Sequence, residues 1–157
     1  MDLREETTNE LRTTPPAIKI KYKDPSMPKL TFVQGKSNWI DLMSATDVNL
    51  FETGHFLIDL GVSMQLPAGY EAIIAPRSSS FKNWGVIQTN SIGVVDETYC
   101  GDNDVWMWSV YGTRKATIKK YDRICQFRIQ KIMGEVNFEE VESLGNKDRG
   151  GIGSTGK

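Results

Sequence analysis

Short stretches of strict alternation, broken every few residues by turn formers, constrain this chain more than any other feature. Ile18, Ile20 and Tyr22 alternate with Lys19, Lys21 and Lys23, which puts the apolar side chains on one face of a half-buried strand. Val62, Met64 and Leu66 alternate again and stop at Pro67-Ala68-Gly69. Glu71–Ala75 reads as a third short strand, and Val105–Tyr111 as a longer one with Trp106, Trp108 and Val110 on one face. In Ile124–Ile132, Cys125, Phe127 and Ile129 share a face while Gln126 and Arg128 point the other way. Long helical periodicity is absent. One short helical turn is expected at Ser78–Asn83, with serines capping free backbone N–H groups. Many short strands joined by Gly, Pro and Asn-Asp turns imply an all-β sandwich, jelly roll or barrel.

The size suits one core. A chain of 157 residues buries about 68–70% of its unfolded surface, enough without staples. Residues 1–16, polar and Thr-rich and ending in Pro15-Pro16, read as a flexible N-terminal extension. Residues 17–144 form the expected β domain, and 145–157 a C-terminal arm. No apolar run approaches the ~20 residues needed to span a bilayer, and nothing resembles a signal peptide, so a cytoplasmic protein without membrane contact is expected.

Charge and residue scarcity narrow the chemistry. With 19 basic and 20 acidic residues the net charge is -1, which argues against a face that tracks nucleic acid. His55 is the only histidine, and no CxxC or HExxH pattern occurs, so neither a zinc site nor a serine triad is expected. His55 reads as a loop or strand-edge residue with no chemical role. The two cysteines, Cys100 and Cys125, suggest no disulfide framework. A hydrolase of this composition would use a carboxylate as its base.

Three segments could carry chemistry. The tail KDRGGIGSTGK is too rich in glycine to pack as a strand by itself. Its backbone N–H groups, with the hydroxyls of Ser154 and Thr155 and the charges of Lys147, Arg149 and Lys157, could wrap phosphate oxygens. PRSSSFKNWGV sets a cation and three hydroxyls before the expected helical turn, a place that favours an anion. In NSIGVVDETYCGDND a tight strand leads into a turn carrying Asp96, Glu97 and Tyr99. A carboxylate there can hold a water, and an aromatic just beyond can floor a sugar. Each segment alone also has a bland reading: a disordered terminus, a strand-exit loop, a hairpin tip.

Together and in this order, with WIDLMSA early and YDRICQFRI late, they resemble the trimeric dUTP pyrophosphatase (dUTPase) family, over roughly Ile18 to Lys157. The resemblance implies a jelly-roll-like all-β fold with one short helix and a flexible Gly-rich C-terminal arm. It implies hydrolysis of dUTP to dUMP and pyrophosphate by a homotrimer with shared active sites. Asp96 matches the catalytic carboxylate that activates water for attack on the α-phosphorus, and Tyr99 the residue that excludes a 2′-hydroxyl. Asn90 and the main chain from Ser91 to Val95 match the uracil-reading hairpin. Arg77, Ser78 and Ser79 match phosphate contacts, and Gln126 a residue that orders phosphate and water. Asp41 matches a carboxylate that touches Mg²⁺ through water, the ion being held mainly by the triphosphate. In the tail, Lys147, Arg149, Gly151, Ile152, Gly153, Ser154 and Thr155 match the phosphate-binding lid.

The chain also departs from the family pattern. Ile152 replaces the aromatic lid over uracil, and Trp106, Met107 or Trp108 could supply that contact unless the tryptophans are core. Lys147 and Arg149 are both candidates for the γ-phosphate. Tyr121 stands where a turn glycine is common, and nothing in the sequence explains it. Two rival functions remain: a regulatory protein of the same fold that binds a partner such as a repressor, with residues 1–16 as its surface, and a dCTP deaminase.

Overall fold

The computed structural model describes residues 15–32, 35–51 and 53–151; most of the expected N-terminal extension and the end of the tail lie outside them. The described residues fold into eleven strands and one short helix. They run in the order β1 (Lys19–Tyr22), β2 (Ile40–Met43), β3 (Val48–Leu50), β4 (Gly54–Asp59), β5 (Val62–Gln65) and β6 (Tyr70–Pro76). There follow α1 (Ser80–Trp84), β7 (Val86–Gln88), β8 (Gly93–Val95), β9 (Met107–Gly112), β10 (Ala116–Ile118) and β11 (Arg123–Lys131). A four-stranded sheet has the order β2-β11-β6-β8 and a three-stranded one β4-β9-β7, with β1-β5 and β10-β3 as two-stranded additions. Every pairing is antiparallel. The fold is jelly-roll-like and nearly all β, as the alternation requires. No helix among the described residues is long and apolar enough to cross a membrane.

The inward faces supply the core. Trp108 and Val110 of β9 are buried, as is Trp106 just before it, while Met107 and Tyr111 face out. Trp106 meets Phe127 of β11 edge-to-face, with ring centroids 5.3 Å apart, and so ties the two larger sheets together. Its indole N–H has no partner among the described residues, a cost of about 1–3 kcal/mol. Burying an indole of roughly 200 Å² returns about 5 kcal/mol, so the packing wins. The strand reading of β1 holds, but Ile20 is 38% exposed because β1 pairs only with β5.

The helix is held differently from the sequence expectation. It begins at Ser80, and Ser79 at the N-cap makes no side-chain capping bond. Instead the Arg77 N–H donates to Ser80 Oγ (3.0 Å), which donates in turn to Ile124 O (2.7 Å). The helix stops at Gly85, whose φ of +66° is left-handed. A Cβ there would lie 2.8 Å from Arg114 Cγ, so both the turn and the close approach require glycine.

Tyr121, a puzzle in the sequence, now has a physical account. Its φ is +68°, the conformation that makes glycine common in such a turn. The turn is closed by Asp122 N–H donating to Lys119 O (3.0 Å), and Tyr121 N–H ties it to Ser44 O (2.8 Å). Its hydroxyl reaches back to Asp24 Oδ2 (3.0 Å), and its ring packs on the core. The left-handed backbone costs about 1–2 kcal/mol, and the ring and hydroxyl contacts offset it.

Beyond β11 the described chain forms no further strand. Ile132, Met133, Val136, Phe138, Val141 and Leu144 are all exposed, Phe138 by 97%. Apolar side chains at that density are left uncovered by the rest of the described residues.

Candidate active site

The candidate residues fall into two groups on either edge of one strand, β6. The first gathers at the far end of β6. Because β11 lies between β2 and β6, the register places Gln126 opposite Asp41 on one side and Ala75 on the other, and opposed residues share a face. Arg77 follows β6 directly. Asp41 is ion-paired with Arg77 Nε at 3.1 Å through one oxygen and with Arg123 Nη1 at 3.3 Å through the other. Arg77 Nη1 also donates to Arg123 O (2.9 Å), and Gln126 Nε2 to Pro76 O (3.1 Å). Two guanidinium groups against one carboxylate leave a positive excess suited to a polyanion. Ser78 is exposed and Ser79 half-buried beside it. The Arg77 N–H, one of the groups expected to be free for an anion, is committed to Ser80.

Arg123 was not singled out from the sequence. Between Arg123 and Cys125 the β11–β2 register shifts, and a bulge of this kind re-aims a side chain. The alternation of YDRICQFRI gives no hint of it.

The second group surrounds β8, on the other edge of β6. Gly93 pairs with Ile74 and Val95 with Ala72. At Gly93 an added Cβ would sit 3.1 Å from Ile74 Cβ, so the tight strand needs the small residue. Before it, the hairpin is pinched by Ile92 N–H donating to Asn90 O (2.5 Å), with Ser91 at φ +54°. After it, Asp96 Oδ1 accepts the Thr98 N–H at 2.8 Å and the Thr98 hydroxyl. These two donors, hydroxyl first, hold the Asp96 carboxyl below the usual carboxylate range. Oδ2 has no hydrogen-bond partner among the described residues. Glu97, the other carboxylate of the turn, is committed to Gly69 N–H (2.7 Å). Of the two, Asp96 is the one that lines the cavity beside Tyr99. Tyr99 is anchored by its hydroxyl to Val105 O (3.3 Å). A cavity of about 300 Å³ is lined by Val94, Val95, Asp96, Tyr99, Val105, Trp106 and Met107.

Of the two alternatives for the tryptophans of VWMWSV, lid or core, the burial favours core. Trp106 and Trp108 are each 1% exposed and belong to the core. Met107 is the member of VWMWSV that faces out, 36% exposed and on the cavity. Lys147, Arg149 and Gly151 lie exposed in the strandless segment; Ile152, Gly153, Ser154 and Thr155 are outside the described residues. His55 is on β4, paired with Ser109 (2.7 Å), and lines neither group.

Among the described residues no set of three His, Cys, Asp or Glu is placed to hold a metal. Asp41 is the carboxylate of the phosphate-side group, and both its oxygens are ion-paired. Such a donor set fits a hard cation brought in on a polyphosphate and touched through water, not one caged by protein.

Asp96 and Arg77 are far apart within one chain, although Ser91 of the hairpin and Arg77 line one cavity of about 440 Å³. Asp96 falls level with Glu71 at one end of β6 and Arg77 follows the other end, a separation of roughly 20 Å at ~3.3 Å per residue. No hydrogen bond or ion pair links them among the described residues.

Comparison with known proteins agrees with this architecture. The dUTPase family model matches residues 34–156. The chain is 55% identical over 139 residues to the SPbeta prophage-derived deoxyuridine 5'-triphosphate nucleotidohydrolase YosS of Bacillus subtilis (strain 168), covering 88% of this chain and 97% of that protein. Among solved structures it is similar to the Staphylococcus bacteriophage 80alpha dUTPase, with TM-score 0.69 and 17% identity over 83% of this chain and 99% of that one. A dUTPase mutant from phage phi11 of S. aureus, described for its coordination of a structural Mg(II) ion, superposes with TM-score 0.70 and 15% identity over the same shares.

Proposed function

The chain belongs to the dUTPase family and is a dUTP nucleotidohydrolase, and from that premise we propose that Asp96 drives the attack of water on the α-phosphorus. The observation that carries this reading is the state of Asp96: one oxygen is held by Thr98, the other is free, and the residue lines a cavity beside Tyr99. A base must lie within hydrogen-bond reach of the proton it removes. Oδ2 takes that proton as the water oxygen bonds to the α-phosphorus. The bond between the α-phosphorus and the oxygen bridging to the β-phosphorus breaks, that oxygen leaves with the pyrophosphate, and dUMP remains. Tyr99, fixed through Val105, floors the deoxyribose and leaves no room for a 2′-hydroxyl. Asn90 and the Ser91–Val95 main chain read uracil. A cytosine there would present donors to donors, and each unpaired group costs roughly 1–3 kcal/mol.

Arg77, Ser78, Ser79, Gln126 and, added from the structure, Arg123 face the triphosphate. They balance its charge as it redistributes toward pyrophosphate, which is the main protein contribution to phosphoryl transfer. Mg²⁺, bound to the triphosphate, would withdraw charge from the phosphoryl oxygens, and Asp41 would hold its water. The tail from Lys147 to Thr155 supplies the closing phosphate contacts.

The two halves of this machinery must come from different subunits. A nucleotide whose α-phosphorus meets both Asp96 and Ser78 cannot stretch across ~20 Å. A homotrimer with shared sites removes the difficulty, and the exposed apolar side chains from Ile132 to Leu144 are suited to cover a neighbour.

Pyrophosphate release from dUTP, dCTP, dTTP and UTP, with and without Mg²⁺, tests the reading. The expected result is Mg²⁺-stimulated release from dUTP alone; ammonia from dCTP would mark a deaminase instead. A second role in partner binding has one observation in its favour: the phage 80alpha dUTPase is described among phage dUTPases that control transfer of virulence genes. Deletion of residues 1–16, with turnover and assembly intact and partner capture lost, would assign that role to the extension.

A further inference from the structure

We propose that Gln88 is a positioning residue for base selection, holding the hairpin in its reading conformation from inside the fold. The inference rests on the assignment of Asn90–Val95 as the uracil-reading element. Gln88 ends β7 and is 6% exposed, an unusual place for a carboxamide unless its groups are paired. Its Nε2 donates to Ile74 O (3.1 Å) and to Ser91 O (3.2 Å). Its Oε1 accepts the Trp108 indole N–H at 2.6 Å. One buried amide thus connects β6, β9 and the hairpin tip.

The connection matters because of what Ser91 does. A serine at φ +54° occupies a backbone region that L-residues keep only when the surroundings hold them there. The Ile92–Asn90 bond closes the turn locally but does not fix it to the body. Among the described residues, the Gln88 side chain is the group that bonds to the Ser91 carbonyl. The outward backbone groups of Ser91 to Gly93 take their direction from the same peptide planes. Trp108, a core residue on β9, orients the amide so that its NH₂ and not its oxygen faces the hairpin. Preorganised polar groups discriminate because they cannot turn to suit the wrong base. A hairpin released from Gln88 could turn.

The test uses the full chain with Gln88→Met, Trp108→Phe and the double variant, reading KM, kcat and the dUTP-to-dCTP preference in kcat/KM. The expected result for Gln88→Met is a KM for dUTP raised about tenfold, kcat within about twofold, and a preference reduced about tenfold, the scale of one lost bond. Trp108→Phe should move the same quantities less, and the double variant should be no worse than Gln88→Met. A loss of packing alone would lower the melting temperature and the active fraction while leaving KM and preference unchanged. That pattern in the folded variants overturns the proposal. If Gln88→Met does not fold, Trp108→Phe carries the decision on the same criteria. Absence of pyrophosphate release by the wild-type protein would instead overturn the functional reading itself.

Discussion

Thr98 donates twice to one oxygen of Asp96, through its backbone N–H at 2.8 Å and through its hydroxyl. Both bonds favour the charged carboxylate and hold its pKa below the usual 3.8. They also leave the second oxygen to face a water. The base is therefore ionised throughout the neutral range, and activity should fail only in acid, as pH drops toward the lowered pKa. Thr98→Val removes the larger of the two causes and lets the pKa rise back toward 3.8. The acid limb of the kcat/KM profile for dUTP should move to higher pH. An unchanged limb, in a variant shown to be folded at each pH, would mean that Thr98 does not tune Asp96.

Met107 and Trp106 are adjacent in sequence and opposite in role. Met107→Ala should raise KM for dUTP about three- to tenfold, the value of one lost apolar contact, and shift stability by no more than about 1 kcal/mol. Trp106→Ala should cost about 3–5 kcal/mol of stability in urea denaturation. If Met107→Ala leaves KM untouched, the side chain does not cover the nucleotide.

Tyr121 and Asp24 give the fold an acid-sensitive joint. Asp24 is held far below the ordinary 3.8 by the hydroxyl and N–H of Ser26 first, then by Lys120 and Tyr121. A depressed carboxylate contributes stability that is present above its unfolded pKa and lost as pH falls below it. Asp24→Asn should lower the melting temperature at neutral pH and flatten its decline below about pH 4. Tyr121→Phe should do both to a smaller degree. An equally steep decline in Asp24→Asn would assign the acid sensitivity to other carboxylates.

Local pattern was enough to find the strands and the side-chain faces that matter. Trp106, Trp108 and Val110 are inside together, and Gln126 leaves the apolar face of β11, as their spacing required. What could not be read were relationships set by pairing between distant segments. A bulge in β11 brings Arg123 to Asp41, and Gln88 ends a short run, Val86-Ile87-Gln88, that gives no sign that its amide joins three elements. Tyr121 looked anomalous because its repayment comes from Asp24, in a turn near the other end of the chain.

The ~20 Å between the Asp96 and Arg77 ends of β6 sets the central test. Asp96→Asn alone should lose about 10²–10⁴-fold in kcat while still binding a non-hydrolysable dUTP analogue, and Arg77→Ala alone should be severely impaired. Mixed in equal amounts under conditions that allow subunit exchange, the two should regain about one quarter of wild-type pyrophosphate release, because random assembly pairs an intact Asp96 with an intact Arg77 at that fraction of shared sites. Recovery near that level is the predicted result. No recovery beyond the two variants' own residual rates, with exchange verified by mass, would contradict a site built from more than one chain.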